Sequence, residues 1–268
     1  MIPVLTVAGS DSSGGAGIQA DLKTFAALGT YGMSCICALT AQNTKGVTMV
    51  VNTPVDMVRA QLEAIFDDIP PKAVKTGMLS SAPIVEAVAD FFSSHRVPLV
   101  VDPVMVATSG AVLLEKEAIQ SYKEKLIPLS TLITPNIPEA EVLSGLSIKN
   151  EEDMKKAARA LMDLRPRAVL VKGGHSVEDA RDILYDGKEF HVFSGKRIST
   201  ENTHGTGCTL SSAIAAGLAK GLSLADAVGE AKKYMEGAIA KAAVDSVGHG
   251  HGPVHHFWFY GKNWGRME

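Results

Sequence analysis

The 268-residue sequence contains no apolar run long enough to span a bilayer. Its N-terminus also lacks the charged segment and apolar stretch of a signal peptide. No run of lysine and arginine reaches five residues and the net charge is −3, which argues against a nucleic-acid-binding surface. The three cysteines, Cys35, Cys37 and Cys208, have neither zinc-ligand spacing nor the even number of a disulfide framework. We therefore expect a cytoplasmic protein that binds neither membranes nor nucleic acids.

Two common nucleotide-binding motifs are also missing. The P-loop pattern Gly-x-x-x-x-Gly-Lys-[Ser/Thr] does not occur, and residues 14–17 lack the Gly-x-Gly-x-x-Gly spacing of a dinucleotide-binding loop. Residues 249–256 contain four histidines but have glycine spacers and no acidic neighbours. That composition favours a flexible tail over a metal site.

What the sequence does contain is a repeated alternation of short apolar runs with amphipathic segments. Hydrophobic residues make up 46% of the chain and charged residues 21%, which predicts a large buried core. Repeated β-α-β units predict a largely parallel sheet with helices on both faces, in a single domain over residues 1–268. Predicted strands cover residues 4–7, 33–39, 73–76, 98–101, 131–134 and 168–171, and a hairpin turns at Asp186-Gly187. Predicted helices cover residues 18–28, 55–69 (with Thr53 as N-cap), 82–94, 115–126, 151–164, 208–220 and 224–243.

The most informative segment is residues 202–210, Asn-Thr-His-Gly-Thr-Gly-Cys-Thr-Leu, directly before a small-residue run with helix character. A glycine-containing turn before a helix aims free backbone N–H groups at one point, where the helix dipole adds positive charge. We expect an anion hole at Gly205, Thr206 and Gly207, and a lowered pKa for Cys208 in the first turn of the helix. A phosphate cradle beside a potential base predicts phosphoryl transfer; the alternative is an ordinary helix start with a buried cysteine.

Polar residues follow four of the predicted strands, at the ends where parallel sheets bind ligands. They are Asp11, Asp102, Asn136 with Glu139, and Lys172. Asp102 is a candidate for holding Mg²⁺, directly or through water, or is a turn aspartate before proline. Glu139 has a helix-capping role as its alternative, and Lys172 either lies near the phosphates or is a solvated loop residue.

Seven segments together resemble the bacterial hydroxymethylpyrimidine/phosphomethylpyrimidine kinase family of thiamine biosynthesis, within the ribokinase-like superfamily. They are residues 8–24, 41–44, 75–79, 101–105, 134–139, 172–175 and 203–208. The resemblance extends over essentially the whole chain, through residues 248–254. It implies a ribokinase-like three-layer α/β/α sandwich and a phosphotransferase that uses ATP and Mg²⁺. The implied substrates are 4-amino-5-hydroxymethyl-2-methylpyrimidine and its monophosphate, which becomes the pyrophosphate; family precedent also implies a homodimer.

The resemblance further implies roles for individual residues. Gln42 would hydrogen-bond the pyrimidine, with Met78 and Val104 as apolar neighbours, and the substrate would also meet Gly9, Asp11 and Cys208. ATP would be bound by Lys172, Thr203, Thr206, Gly207 and Glu139, and the metal by Asp102 and Glu139. The catalytic set would be Cys208, Lys172, Gly205, Thr206 and Gly207. Many sugar kinases of the superfamily carry aspartate where Cys208 stands, so Cys208 is either the base or a residue that positions substrate.

Two other functions compete with this interpretation. One is a pyridoxal/pyridoxine kinase, because some relatives phosphorylate that ring with nearly the same motifs. The resemblance implies that those relatives often differ at the position of Gln42, and that some have Gly-Ala-Gly-Cys where this chain has Gly-Thr-Gly-Cys at residues 205–208. Both features favour the pyrimidine enzyme. The other is a ligand-binding or regulatory protein that has lost catalysis, which the intact Asp102, Glu139, Lys172 and Cys208 argue against.

Overall fold

The computed structural model describes residues 1–105, 116–174, 180–195, 197–245 and 247–260. The strands are β1 (Pro3–Asp11), β2 (Tyr31–Asn43), β3 (Gly46–Asn52), β4 (Ala73–Thr76), β5 (Leu99–Val101), β6 (Leu132–Ile133), β7 (Val169–Lys172), β8 (Ala180–Tyr185) and β9 (Phe190–Gly195). The α-helices are α1 (Gly17–Ala27), α2 (Val55–Asp68), α3 (Ala82–Ser94), α4 (Lys116–Ser121), α5 (Ile137–Ser144), α6 (Glu151–Leu161), α7 (Thr206–Ala219) and α8 (Leu224–Ala242). A π-helical turn at Tyr122–Leu126 and 3₁₀ turns at Ile127–Leu129 and Met162–Leu164 extend α4 and α6.

The strands of the described residues form one nine-stranded sheet in the order β3-β2-β1-β4-β5-β6-β7-β8-β9. The six strands from β2 to β7 in that order are parallel to one another. The strand β3 at one edge and the β8–β9 hairpin at the other are antiparallel. The predicted largely parallel sheet and the predicted hairpin are therefore confirmed, and the carboxyl ends of six strands meet at one edge.

Helices cover both faces of this sheet. Successive strand residues alternate between the two faces, so Leu5 and Val7 enter one apolar core while Val4 enters the other. The first core is closed by α2 to α6 and the second by α1, α7 and α8. This is the predicted three-layer α/β/α sandwich.

The structure differs from the sequence-based prediction at strand β3 and at the start of α2. Strand β3 was not predicted, because it lies at the edge of the sheet with five of its seven residues exposed and so carries no buried apolar pattern. The predicted N-cap at Thr53 is wrong, since α2 begins at Val55 and Pro54 occupies the cap position without a side-chain hydrogen bond. Two predicted positions, Glu115 and His175, lie outside the described residues.

We searched the described ranges for helices able to cross a membrane and found none of sufficient length and apolarity.

Candidate active site

A cavity of about 650 Å³ opens at the carboxyl ends of the parallel strands. This volume is typical of small-molecule and cofactor sites. The cavity wall includes every site residue predicted from the sequence, namely Gly9, Asp11, Gln42, Met78, Asp102, Val104, Glu139, Lys172, Thr203, Gly205, Thr206, Gly207 and Cys208. The polar residues predicted to follow separate strands are therefore brought together in one place.

The turn predicted to bind an anion lies at the start of α7. Gly205 is the N-cap residue and has a left-handed φ of 79°, and a Cβ there would overlap the carbonyl oxygen of Gly15. The Thr206 amide donates to the carbonyl of Thr203. The amides of Gly207 and Cys208 have no partner within the helix, because they belong to its first turn. These two amides are thus the backbone donors best placed for an anion.

A pair of opposite charges faces this turn. The Lys172 ammonium lies 2.9 Å from Asp102 Oδ1, and a Cβ on Gly207 would lie 3.3 Å from Lys172 Nζ and 3.5 Å from Asp102 Oδ2. Hydroxyl groups of Thr134 and Ser211 also donate to the Asp102 carboxylate, at 3.2 and 3.3 Å. Lys172 is therefore a nearly buried group at the end of β7, and its alternative as a solvated loop lysine is wrong.

These charges control the protonation of Asp102. Burial alone would raise the pKa of Asp102, but the cations Lys172 and Lys75 outweigh burial and hold it below its ordinary value. Asp102 is consequently a carboxylate. Its interpretation as a simple turn residue does not account for the Lys172 contact.

Glu139 both caps a helix and faces the cavity. Its side chain accepts from the Asn136 amide at 2.8 Å, and the Asn136 side chain accepts from the Glu139 amide at 2.9 Å. This reciprocal pair confirms the capping alternative. Burial raises the pKa of Glu139 to about 7, with Lys172 opposing the rise and Asp102 adding to it. Glu139 therefore changes charge near neutral pH in this cavity.

The Cys208 thiol does not have the lowered pKa predicted from its helix position. Burial raises the pKa to about 11, and the carboxylates of Asp21 and Asp102 add to the rise. The Lys75 ammonium and a hydrogen bond from the Gly17 amide act in the opposite direction without reversing it. Desolvation and nearby negative charge thus outweigh the Lys75 ammonium and the Gly17 hydrogen bond.

Gln42, at the end of β2, also lines the cavity. Its side-chain oxygen accepts from the Thr40 hydroxyl at 3.1 Å, and its Nε2 lies 3.4 Å from His204 Nε2. His204 Nε2 is also 2.9 Å from Asp11 Oδ2. Gln42 is therefore held in the wall between two neighbours rather than extended into solvent.

Asp11 organises the loop that follows β1. Its carboxylate accepts from the amides of Ser13, Gly15 and Ala16 at 2.8 to 3.1 Å, as well as contacting His204. Burial opposes ionisation, but these hydrogen bonds and His204 bring its pKa well below the ordinary value. Asp11 thus lines the cavity as an ionised residue whose carboxylate is engaged by its own loop.

Gly9, Met78 and Val104 also line the cavity. The Gly9 amide donates to the Met78 carbonyl at 3.0 Å, and a Cβ on Gly9 would lie 2.5 Å from Met78 Cε. A side chain at position 9 would therefore displace the end of the Met78 side chain. Val104 lies on the same cavity wall, two residues after Asp102.

Two parts of the site were missed by the sequence analysis. His204 lies inside the predicted anion-binding segment, but nothing in the sequence shows that it contacts Asp11, which is 193 residues away. Lys75 appears only as part of a motif, yet it is fully buried and paired with Asp21. A lysine inside a buried strand was the available signal, since unpaired buried lysines are rare.

The expectation of a flexible tail is wrong for residues 249–256. The His204 amide donates to the Gly252 carbonyl at 3.0 Å, and the His251 amide donates to the Thr44 carbonyl at 3.0 Å. His256 is buried, with its Nε2 3.1 Å from the Thr209 hydroxyl. The segment therefore packs between the loop after Gln42 and the start of α7. In the described part of the chain, its histidines do not form a cluster able to hold a metal.

Comparisons with known proteins agree with this geometry. The family model for phosphomethylpyrimidine kinase matches residues 11–255. The chain is similar to a hydroxymethylpyrimidine/phosphomethylpyrimidine kinase of Streptomyces coelicolor, at 51% identity over 97% of this chain and 96% of that protein. It also resembles the crystal structure of a phosphomethylpyrimidine kinase from Clostridium difficile 630, with a TM-score of 0.81 and 50% identity over 89% of this chain and 100% of that one. An ADP complex of Bacillus subtilis pyridoxal kinase gives a TM-score of 0.88 and 40% identity, over 97% and 98% of the two chains.

Proposed function

The chain belongs to the phosphomethylpyrimidine kinase family, and from that premise we propose how its residues carry out the reaction. It is a phosphotransferase of thiamine biosynthesis that phosphorylates hydroxymethylpyrimidine and then the monophosphate. One observation supports the assignment of roles most strongly: a single cavity is lined both by the turn at Gly205–Cys208 and by Gln42. The reacting hydroxyl would lie between them.

The part of the site proposed to bind phosphate consists of backbone donors and the Lys172 ammonium. We propose that the amides of Gly207 and Cys208 bind the transferring phosphoryl group and that Lys172 balances its negative charge. Such donors stabilise the charge that spreads over the phosphoryl oxygens during transfer. The Thr203 and Thr206 side chains would line the remaining part of the ATP site.

The residues present fit a magnesium ion. Asp102 is a buried carboxylate and Glu139 is a second carboxyl group on the same cavity wall, and Mg²⁺ prefers such oxygen ligands together with water. We propose that these two side chains hold the ion, in part through its water shell. When bound, magnesium would neutralise phosphate charge and align the phosphoryl group.

We propose that Cys208 positions the acceptor hydroxyl and does not act as a general base that is already ionised in the free protein. With a pKa of about 11, Cys208 is a neutral thiol at pH 7 in the free protein. A neutral thiol can still contact the hydroxymethyl group and orient it toward the phosphate.

Gln42 is proposed to select the pyrimidine. An aminopyrimidine edge offers a ring nitrogen acceptor beside an exocyclic N–H donor, and a carboxamide carries the complementary pair on one plane. Met78 and Val104 would cover the apolar part of the ring. The pyridoxal kinase likeness makes pyridoxal the second candidate substrate.

A coupled ADP-release assay with hydroxymethylpyrimidine, its monophosphate and pyridoxal tests the proposal. We expect turnover with both pyrimidines and a lower kcat/KM for pyridoxal. A higher kcat/KM for pyridoxal would replace the proposed function with the second candidate, and no turnover with any of the three would remove both.

We also propose that the chain acts as one domain and forms a homodimer in the cytoplasm. The exposed apolar residues of the β2–β3 edge support the dimer: Leu39, Met49, Val50 and Val51. The cytoplasmic location is supported by the free thiols of the three cysteines, Cys35, Cys37 and Cys208. Sedimentation velocity of Val51→Asp tests the dimer, with Val192→Asp at the opposite sheet edge as the matched control; only the former should yield monomers.

A further inference from the structure

Beneath the start of α7 lies a lysine that the proposed reaction does not use. Lys75 comes from β4 and Asp21 from α1, and both side chains are fully buried. The ammonium lies 2.9 Å from both oxygens of the carboxylate. Burying an ion pair costs desolvation that an apolar pair of similar size avoids. A pair at this position therefore calls for a role other than simple packing.

The pair is connected to the anion-binding helix. Ser212 on α7 donates to Asp21 Oδ1 at 2.7 Å, and Thr6 on β1 donates to Asp21 Oδ2 at 2.6 Å. Ser212 lies four residues after Cys208, so the two occupy the same side of α7, one turn apart. Asp21 thus joins β1, β4 and the first two turns of α7 through one carboxylate.

The pair also places a positive charge at the reaction centre. Lys75 lines the cavity that holds Asp102 and Cys208. Burial would lower the pKa of Lys75, but Asp21 reverses this and raises it above the ordinary value, so the side chain is an ammonium ion. Four charged groups act on the Cys208 thiol: Lys75 from β4, Asp21 from α1, Asp102 after β5 and Lys172 at the end of β7.

We propose that the Lys75–Asp21 pair sets the electrostatic potential at the turn that begins α7. Asp21 holds the Lys75 ammonium in place, and Lys75 supplies positive potential to the atoms around Cys208. Negative charge develops there as the acceptor oxygen attacks the phosphoryl group. The inference rests on the proposed function only in taking this turn as the place of phosphoryl transfer.

Alkylation of Cys208 measures this potential without requiring kinase activity. The thiolate is the reactive form, so the rate with iodoacetamide at fixed pH reports how strongly the surroundings favour negative charge. Cys35 and Cys37 are fully buried, and peptide mass mapping assigns the modified residue. The variants are Lys75→Met, the double variant Lys75→Met/Asp21→Asn, and Ser212→Ala, which removes a hydrogen bond to Asp21 without removing charge.

We expect Lys75→Met to slow alkylation by about three- to tenfold, because loss of a nearby cation lowers the thiolate fraction. The double variant should be slowed less, since it also removes the negative charge of Asp21, and it serves if the single variant does not fold. Ser212→Ala should stay within about twofold of wild type. A Lys75→Met rate within twofold of wild type would overturn the proposal, as would equal slowing in Ser212→Ala, which keeps both charges. If only the double variant folds, a rate equal to that of wild type would overturn it.

The kinase assay on the same proteins separates this inference from the proposed function. We expect Lys75→Met to lower kcat with little change in KM for ATP. If the wild-type protein phosphorylates neither pyrimidine, the proposed function fails while the alkylation comparison still decides the role of the pair.

Discussion

Replacing Glu139 with glutamine should stabilise the ligand-free protein at alkaline pH while impairing the enzyme. Glutamine keeps a side-chain oxygen that can accept from the Asn136 amide, so the helix cap is retained. It removes the cost of ionising a carboxyl group that is buried near Asp102. The variant thus separates the capping role of Glu139 from its charge.

The size and sign of the effect follow from the pKa of about 7 in the folded protein and 4.5 for an ordinary glutamate. Because the folded pKa is raised, the stability contributed by this group is fully present below pH 4.5 and is lost as the pH rises through 7. The difference of about 2.5 between these two pKa values corresponds to about 3 kcal/mol in the free energy of unfolding. Because Lys172 and Asp102 interact strongly with Glu139, we expect the substitution to raise the free energy of unfolding at alkaline pH by about 1 to 3 kcal/mol.

Urea unfolding in the presence of EDTA measures the effect. Glu139→Gln and wild type should have similar free energies of unfolding near pH 4.5, and the variant should be more stable at pH 8. Glu141→Gln, which alters a glutamate on the same helix that accepts from the Ile148 amide, is the matched control for loss of a carboxylate hydrogen bond. A stability difference for Glu139→Gln that does not grow between the two pH values would refute the reasoning.

Three further substitutions test the assigned roles in the kinase assay. Gln42→Met should raise KM for hydroxymethylpyrimidine, at about 1–3 kcal/mol per lost hydrogen bond, and narrow its kcat/KM advantage over pyridoxal; an unchanged ratio would count against pyrimidine recognition by Gln42. Gly207→Val should cost about 2–4 kcal/mol of transition-state stabilisation, because the new side chain would crowd Lys172 and the anion-binding amides; full turnover in a folded variant would contradict this. Cys208→Ala should raise KM more than it lowers kcat if the thiol positions substrate, whereas a fall in kcat of about 10²- to 10⁴-fold at unchanged KM would indicate a base.

The parts of the structure that the sequence predicted are those specified by local pattern. Apolar runs and helical spacing predicted the parallel sheet and the helices on its two faces. The turn before α7 was predictable because glycine, backbone donors and the helix start lie within a few adjacent residues. The capping pair of Asn136 and Glu139 was likewise a local alternative, and the structure contains it.

The remaining parts depend on contacts between distant residues. The pKa of Cys208 was predicted with the wrong sign, because the local helix start was visible while burial and the carboxylates of Asp21 and Asp102 were not. The Lys75–Asp21 pair joins residues 54 positions apart, and no local pattern links them. The prediction of a flexible tail at residues 249–256 failed for the same reason. Gly248 and Gly250 allow the chain to pack closely against the distant residue Thr44. Strand β3 was not predicted because it is an edge strand with mostly exposed residues, so its sequence does not alternate between apolar and polar residues.

The central claim is that the protein, in this cavity, transfers one phosphoryl group from ATP to hydroxymethylpyrimidine and a second to the resulting monophosphate. Phosphorus NMR of the protein with ATP, MgCl₂ and 4-amino-5-hydroxymethyl-2-methylpyrimidine tests it most directly. We predict a phosphomonoester signal that appears first and is then replaced by the paired signals of a pyrophosphate ester, with one ATP consumed for each phosphoryl group. ATP consumption without any phosphorylated pyrimidine, or a phosphomonoester formed only when pyridoxal is supplied, would contradict the claim.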